Sequence, residues 1–73
     1  MTDTVKPTPQ VAVIILNWNG RKLLEEYLPQ VIENTNPEIA EVIVADNGST
    51  DDSLAWLDRN YPHVRRMEFN ENL

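Results

Sequence analysis

The amino-acid sequence predicts an α/β fold with the element order β-α-β-α-β, a three-layer, Rossmann-like half of a doubly wound and mostly parallel sheet. Two unbroken apolar runs rich in β-branched residues, Val11 to Leu16 and Val42 to Ala45, are typical of strands covered on both faces. A segment whose apolar residues recur with helical periodicity separates them, and the distance from Val11 to Ala45 fits one βαβ unit. With 73 residues, the chain can form one small domain at most.

The first strand follows a polar segment, residues 1 to 10, which we expect to be a disordered lead-in because its prolines favour extended backbone. We expect Val11 to Leu16 to be a central strand. Residues 17 to 20, Asn-Trp-Asn-Gly, end it because Asn and Gly tolerate the left-handed backbone of a turn. Asn19 is placed to cap the helix that follows.

The first helix is predicted over residues 21 to 35, where pairs of apolar residues recur every fourth position and form one stripe. The stripe consists of Leu23, Leu24, Tyr27, Leu28, Val31 and Ile32. Pro29 lies inside this pattern and predicts a kink or two helical pieces, because proline removes a backbone hydrogen bond. Residues 34 to 40 form the return loop.

The second strand leads into a second helix through residues 41 to 52. We expect the strand to end at Asp46 and a turn to follow at Asn47 and Gly48. The next four residues, Ser-Thr-Asp-Asp, supply the cap and the first-turn acids of a helix over about residues 52 to 60.

The third strand is predicted over Val64 to Phe69, and its three charged side chains favour an edge position. Trp56 of the second helix is interpreted as a packing residue. His63, which follows a proline in the turn before the strand, is interpreted as solvated.

Charge and composition exclude several function classes. The formal net charge of −6 argues against a nucleic acid partner, because phosphate contacts need clustered Lys and Arg. Without cysteine there is no disulfide framework or thiolate metal site. The longest apolar run is far shorter than the roughly 20 residues that span a bilayer, and no signal peptide pattern is present, so we expect a cytoplasmic location.

Candidate site residues follow each of the three strands, in loops at 17 to 20, 46 to 51 and 70 to 73. The carboxyl ends of parallel strands meet at one edge of a sheet, where ligands bind in open α/β folds. The loops offer an indole, a carboxylate and several carboxamides, namely Trp18, Asp46, Asn17, Asn19, Asn47, Asn70 and Asn72. This set suits a nucleotide, because an indole stacks on a base and polar groups meet the ring edge, ribose and phosphate.

Two motifs carry a resemblance to a known family. Residues 11 to 20, Val-Ala-Val-Ile-Ile-Leu-Asn-Trp-Asn-Gly, followed by residues 42 to 53, Val-Ile-Val-Ala-Asp-Asn-Gly-Ser-Thr-Asp-Asp-Ser, resemble the opening of the inverting family-2 glycosyltransferases. The first half of such enzymes is a nucleotide-binding GT-A fold. The Asn-Trp-Asn variant, with Asn-Glu-Asn-Leu at residues 70 to 73, is similar to the rhamnosyltransferase-like branch.

The resemblance implies roles for individual residues. It puts Trp18 where the family has a base-stacking Tyr and Asp46 where it has a base-recognising Asp. The implied donor is a nucleotide-diphosphate sugar, with UDP or dTDP as the nucleotide. We also expect Asn17, Asn19, Asn47 and Asn72 to bind the nucleotide, and Gly48, Ser49 and Asp51 to shape the loop and the helix start.

The family's metal-binding Asp-x-Asp motif and its catalytic base follow a fourth strand, and neither occurs in this sequence. The resemblance therefore implies Mg²⁺ or Mn²⁺ for the full-length enzyme, with no metal bound by this chain alone. We expect residues 11 to 73 to be the amino-terminal part of a GT-A domain, inactive by itself and possessing no catalytic residue. The parent enzyme, cytoplasmic or at the inner face of a membrane, would transfer a sugar to an acceptor hydroxyl with inversion.

Other interpretations remain open at this point. Asp46 could serve only to start an Asx turn, and Trp18 could be a packed loop residue. A sugar nucleotidyltransferase would need a Gly-rich basic loop after the first strand, and a receiver domain would need acids there. A nonenzymatic module could instead bind a nucleotide or self-associate through an exposed sheet edge.

Overall fold

A computed structural model describes residues 11–69 of the chain and contains three strands and two helices in that range. The elements are β1 (Val11–Asn17), α1 (Arg21–Glu33), β2 (Ala40–Asn47), α2 (Ser53–Asn60) and β3 (Arg65–Phe69). The predicted α/β class and element order are confirmed. The lead-in predicted at 1 to 10 and the loop predicted at 70 to 73 lie outside the described residues.

The three strands form one parallel sheet in the order β1-β2-β3. Among the described residues β2 is therefore the central strand and β1 lies at an edge, so the expectation that β1 is central is not met within residues 11–69. Two successive crossovers in the same direction move the chain steadily across the sheet, which leaves β1 at one edge and β3, as predicted, at the other. The register pairs Asn17 with Asp46, and Asn47 with Phe69.

Both helices pack on the same face of the sheet. The side chain of Val44 is fully buried in one cluster with Leu24 and Leu28 of α1 and with Trp56 and Leu57 of α2. Trp56 is thus a packing residue, as predicted, and its ring also lies 5.7 Å from that of Tyr61 in a tilted arrangement.

Neither helix covers the opposite face of the sheet, so residues 11–69 form two layers. Ile14 is 54% exposed and Leu16 is 84% exposed, although their apolar run predicts cover on both faces. Alternating side chains of an edge strand face opposite sides of the sheet, and the two helices can cover only one of them.

The element boundaries differ from the predicted ones by one or two residues. Helix α1 is a single helix with Pro29 inside it, not two pieces. It ends at Glu33 because the next two side chains satisfy its last carbonyls: Asn34 donates to Gln30 and Thr35 donates to Val31. Strand β2 runs past Asp46 because its pairing with β3 continues to Asn47, which lies opposite Phe69. Neither helix in the described part of the chain is long and apolar enough to cross a membrane.

Candidate functional site

A depression of about 340 Å³ lies at the carboxyl ends of the strands. Its lining comes from all three strands and from the loop after β1, and consists of Leu16, Asn17, Trp18, Ala45, Asn47 and Phe69. The sheet register explains the grouping, because Leu16 pairs with Ala45, and Asn47 pairs with Phe69. The structure thus brings three of the predicted site residues together.

The indole of Trp18 forms one wall of this depression. Its side chain is 57% exposed, so the alternative that Trp18 is a packed loop residue does not describe the structure. An exposed aromatic plane beside carboxamides is an arrangement that suits a planar heterocycle.

The carboxylate of Asp46 lies behind the depression instead of lining it. Side chains alternate along a strand, so Asp46 faces the helices while its neighbours Ala45 and Asn47 face the depression. Asp46 is only 2% exposed. Its Oδ1 accepts hydrogen bonds from the Asn17 amide at 2.7 Å and from the Ser49 hydroxyl at 2.6 Å, and its Oδ2 accepts from the Ser49 backbone N–H at 3.0 Å.

These hydrogen bonds decide the ionisation of Asp46. Burial and the nearby Asp51 charge act to raise the pKa, but the donors from Ser49 and Asn17 outweigh them and hold the pKa of Asp46 below its ordinary value of 3.8. The group therefore remains an anion at neutral pH. Its bond from the Ser49 N–H, three residues on, closes the turn through Asn47 and Gly48, whereas an Asx turn would use the N–H of Gly48, two residues on.

Asn19 connects the loop after β1 to the loop after β2. Its backbone N–H donates to the Ser49 hydroxyl at 2.9 Å, and its Oδ1 accepts from the N–H groups of Thr50 at 2.6 Å and Asp51 at 3.1 Å. The expectation that Asn19 caps α1 was wrong, because Gly20 precedes that helix and the Asn19 side chain caps the other loop. Asn19 has a φ of 49°, which Asn tolerates better than most residues.

The carboxylate of Asp51 joins the starts of the two helices. Oδ2 accepts from the N–H of Arg21, the first residue of α1, at 3.2 Å, and Oδ1 accepts from the N–H of Ser53, the first residue of α2, at 3.0 Å. The Ser53 hydroxyl also donates to Oδ1. Burial acts to raise the pKa of Asp51, but these donors lower it below its ordinary value. Gly48, in the same loop, has a φ of 73°, a conformation that favours glycine.

The divalent cation that the resemblance implies would bind a motif that does not occur in this sequence. Within residues 11–69 no group of three or more His, Asp or Glu side chains lies close enough together to hold a metal ion. Asn72, which was predicted to bind the nucleotide, lies outside the described residues.

A second depression, of about 520 Å³, lies at the opposite end of the sheet. It is formed by the starts of β2 and β3, and its polar groups include His63 and the ion pair between Glu41 and Arg65, at 3.4 Å. Ligands of parallel α/β sheets bind at the carboxyl ends of the strands, so this depression is not the candidate site.

Sequence reasoning did not identify the three apolar residues that line the site, Leu16, Ala45 and Phe69. Leu16 is the penultimate residue of β1, and Phe69 is the last residue of β3. The alternation of side chains could have found Phe69, because the prediction already put it at the carboxyl end of β3.

Comparison with known proteins identifies the class to which this fold and site belong. Residues 12–73 match the model of Glycosyl transferase family 2, so the chain belongs to that family. It is similar to a chondroitin synthase of Escherichia coli, with 32% identity over 66 residues, which cover 90% of this chain and 10% of that protein. The chain thus spans about a tenth of the length of this curated relative. No solved structure matches the chain.

Proposed function

We propose that this chain forms the nucleotide-binding part of a glycosyltransferase that uses a nucleotide-diphosphate sugar as its donor. The observation that carries the proposal is the depression at the carboxyl ends of the strands, with the exposed indole of Trp18 beside the carboxamide of Asn47. Membership of Glycosyl transferase family 2 supports the same interpretation.

In this proposal the base stacks on Trp18, and its polar edge meets the side chain of Asn47. A carboxamide both donates and accepts, which matches the adjacent N–H and C=O groups of uracil or thymine. Guanine presents a similar pair, so the choice of UDP and dTDP sugars as the proposed donors rests on the family resemblance. Asp46 does not contact the base in this proposal, because its carboxylate is buried and already accepts hydrogen bonds from Asn17 and Ser49.

The parent enzyme would transfer the sugar with inversion, by attack of an acceptor hydroxyl on the anomeric carbon while a general base takes its proton. Mg²⁺ or Mn²⁺ would supply Lewis acidity at the diphosphate when bound. We propose that the 73-residue chain binds neither ion by itself and has no transferase activity. Membership of a rhamnosyltransferase-like branch, and action in the cytoplasm or at the inner face of a membrane, are further parts of the proposal.

An amide-resolved NMR titration of the chain with UDP, dTDP and GDP tests the proposal. Binding at the proposed site shifts the resonances of Trp18 and Asn47 with UDP or dTDP, and leaves those of His63 and Thr35 at the other end of the sheet unchanged. A well-dispersed spectrum that responds to none of the nucleotides would overturn it. Repeating the titration with trace Mn²⁺ tests whether the chain binds the ion, because paramagnetic broadening localises any site.

A second candidate function is association of two copies through β1. The strand carries no charged residue, and its side chains Val11, Ile14 and Leu16 are all more than half exposed. An apolar strand at the edge of a sheet is a template for pairing with another chain. Sedimentation measurements distinguish this candidate, as argued in the Discussion.

A further inference from the structure

The candidate site has an exposed indole on a short loop, and a stacking platform is useful only if its position is constant. Trp18 lies between two residues that are both bound to the loop after β2. On one side the Asn17 amide donates to Asp46 at 2.7 Å and to the Ser49 hydroxyl at 3.1 Å. On the other side the Asn19 N–H donates to the same hydroxyl at 2.9 Å.

The Ser49 hydroxyl is the centre of this arrangement. It donates to Asp46 and accepts from both Asn17 and Asn19, so it uses its one donor and both acceptor positions. The Asn19 side-chain oxygen then accepts two backbone N–H groups from the loop after β2. We name these four residues, Asn17, Asn19, Asp46 and Ser49, the loop clamp.

We infer that the loop clamp positions Trp18 for the nucleobase, and that Asn19 and Ser49 are positioning residues whose side chains do not contact the nucleotide. This inference rests on the proposed function. Neither side chain is among those that line the depression. The loops have a positive φ at Asn19 and at Gly48, and the side-chain oxygens of Ser49 and Asn19 join them by accepting backbone N–H groups of the other loop.

Variants of Asn19 separate positioning from folding. Asn19→Gly keeps the positive φ but removes the acceptor of two hydrogen bonds, whereas Asn19→Asp keeps an oxygen at the same position. Ser49→Ala and Ser49→Thr form a second pair, which removes or keeps the hydroxyl. Thr35→Val is the control, because it removes a hydrogen bond of 2.6 Å at the far end of α1.

The experiment measures the dissociation constant of UDP and the heteronuclear NOE of the Trp18 indole N–H, at a temperature where every variant gives a dispersed spectrum. Asn19→Gly and Ser49→Ala are expected to bind UDP about tenfold more weakly and to lower the NOE, which reports motion on the ps–ns timescale. Asn19→Asp, Ser49→Thr and Thr35→Val are expected to remain within about twofold of the wild type.

A purely structural role would lower the stability of Asn19→Gly but leave the affinity and the indole NOE of the folded protein unchanged. That result, with a wild type that binds UDP, overturns the inference and spares the proposed function. A folded wild type that binds none of UDP, dTDP and GDP overturns the proposed function and the inference with it.

Discussion

The side-chain amide of Asn17 donates a hydrogen bond of 2.7 Å to the carboxylate of Asp46, a residue 29 positions away that faces it across the strand pair. Both groups are almost fully buried, at 4% and 2% exposure. A buried carboxylate without partners would take up a proton, so this contact and the Ser49 donors keep the Asp46 carboxylate charged. The carboxyl ends of β1 and β2 are therefore joined by a hydrogen bond to a charged side chain as well as by backbone pairing.

Acid should destabilise the protein through Asp46 and Asp51. Their pKa values are lower in the folded chain than the ordinary 3.8, so below that pH the unfolded state binds more protons than the folded state. The stabilisation is complete above the unfolded pKa and is lost as pH falls through the lower folded values. We expect the free energy of unfolding, measured in urea, to be level from pH 7 to about 5 and to fall below about 4.

The variant Asp46→Asn assigns part of that pH dependence to one residue. We expect it to lose about 1.5–3 kcal/mol of stability at pH 7, the range for hydrogen bonds to a charged group, and to show a shallower fall in acid. Asp58→Asn is the control, since it makes the same charge change where the side chain is 65% exposed and paired only at the surface with Arg66. Equal acid sensitivity in Asp46→Asn and the wild type would contradict the assignment.

The order of the elements was predictable from the sequence because it follows from local patterns. The apolar stripe from Leu23 to Ile32 and the turn at Asn47 and Gly48 each depend on neighbours within a few residues. The position of β1 was not predictable in the same way. An apolar run such as Val11 to Leu16 indicates that a strand can be buried on both faces. The place of that strand in the sheet depends instead on its pairing with β2, roughly thirty residues later.

Part of the candidate site was likewise predictable from the sequence, and part of it was not. The proximity of Trp18 and Asn47 was predictable because the carboxyl ends of parallel strands meet at one edge of the sheet. The orientation of Asp46 was missed, because a shift of one residue along a strand reverses the face of the sheet. The side-chain oxygen of Asn19 accepts from the N–H groups of Thr50 and Asp51, which are 31 and 32 positions away. A capping rule that considers only adjacent residues therefore assigned this side chain to the start of α1.

Replacement of Trp18 should affect binding without affecting folding. Stacking of a base on an aromatic ring is typically worth about 1–3 kcal/mol, so Trp18→Ala should weaken UDP binding at least about fivefold. Its unfolding free energy should change little because the indole is exposed. Trp56→Phe is the matched comparison: it should lower stability, since Trp56 is 7% exposed in the core, and leave UDP affinity unchanged. Calorimetric titration and urea unfolding measure the two effects, and unchanged affinity in Trp18→Ala would remove the indole from the site.

The positive φ of Gly48 predicts a cost for any side chain with a Cβ. At 73° an alanine is strained by about 1–2 kcal/mol, whereas asparagine visits this region more readily. We therefore expect Gly48→Ala to be less stable than the wild type and Gly48→Asn to lie between them. Urea unfolding of the three proteins gives the order, and an alanine variant as stable as glycine would show that the loop adopts another conformation.

The packing of α1 on the sheet predicts a contrast between two leucines of the same helix. Leu28 is fully buried and Leu23 is 61% exposed. Truncation of a buried leucine removes apolar contact and leaves a cavity, which typically costs about 2–5 kcal/mol, so Leu28→Ala should be severely destabilised or unfolded. Leu23→Ala should change the unfolding free energy by less than about 0.5 kcal/mol. Thermal melts of both variants test which face of α1 meets the core.

Association through β1 makes a prediction about charge at the sheet edge. If two copies pair along β1, sedimentation equilibrium should detect a dimer at high concentration, and Ile14→Lys should abolish it because a lysine at an edge strand opposes further pairing. Ile39→Lys is the matched control, since Ile39 is 59% exposed, close to the 54% of Ile14, but lies outside β1. Equal weakening by both variants would attribute association to general apolar exposure, and a monomeric wild type at all concentrations would remove this candidate function. A dimer lost only in Ile14→Lys would locate the contact at the free edge of β1.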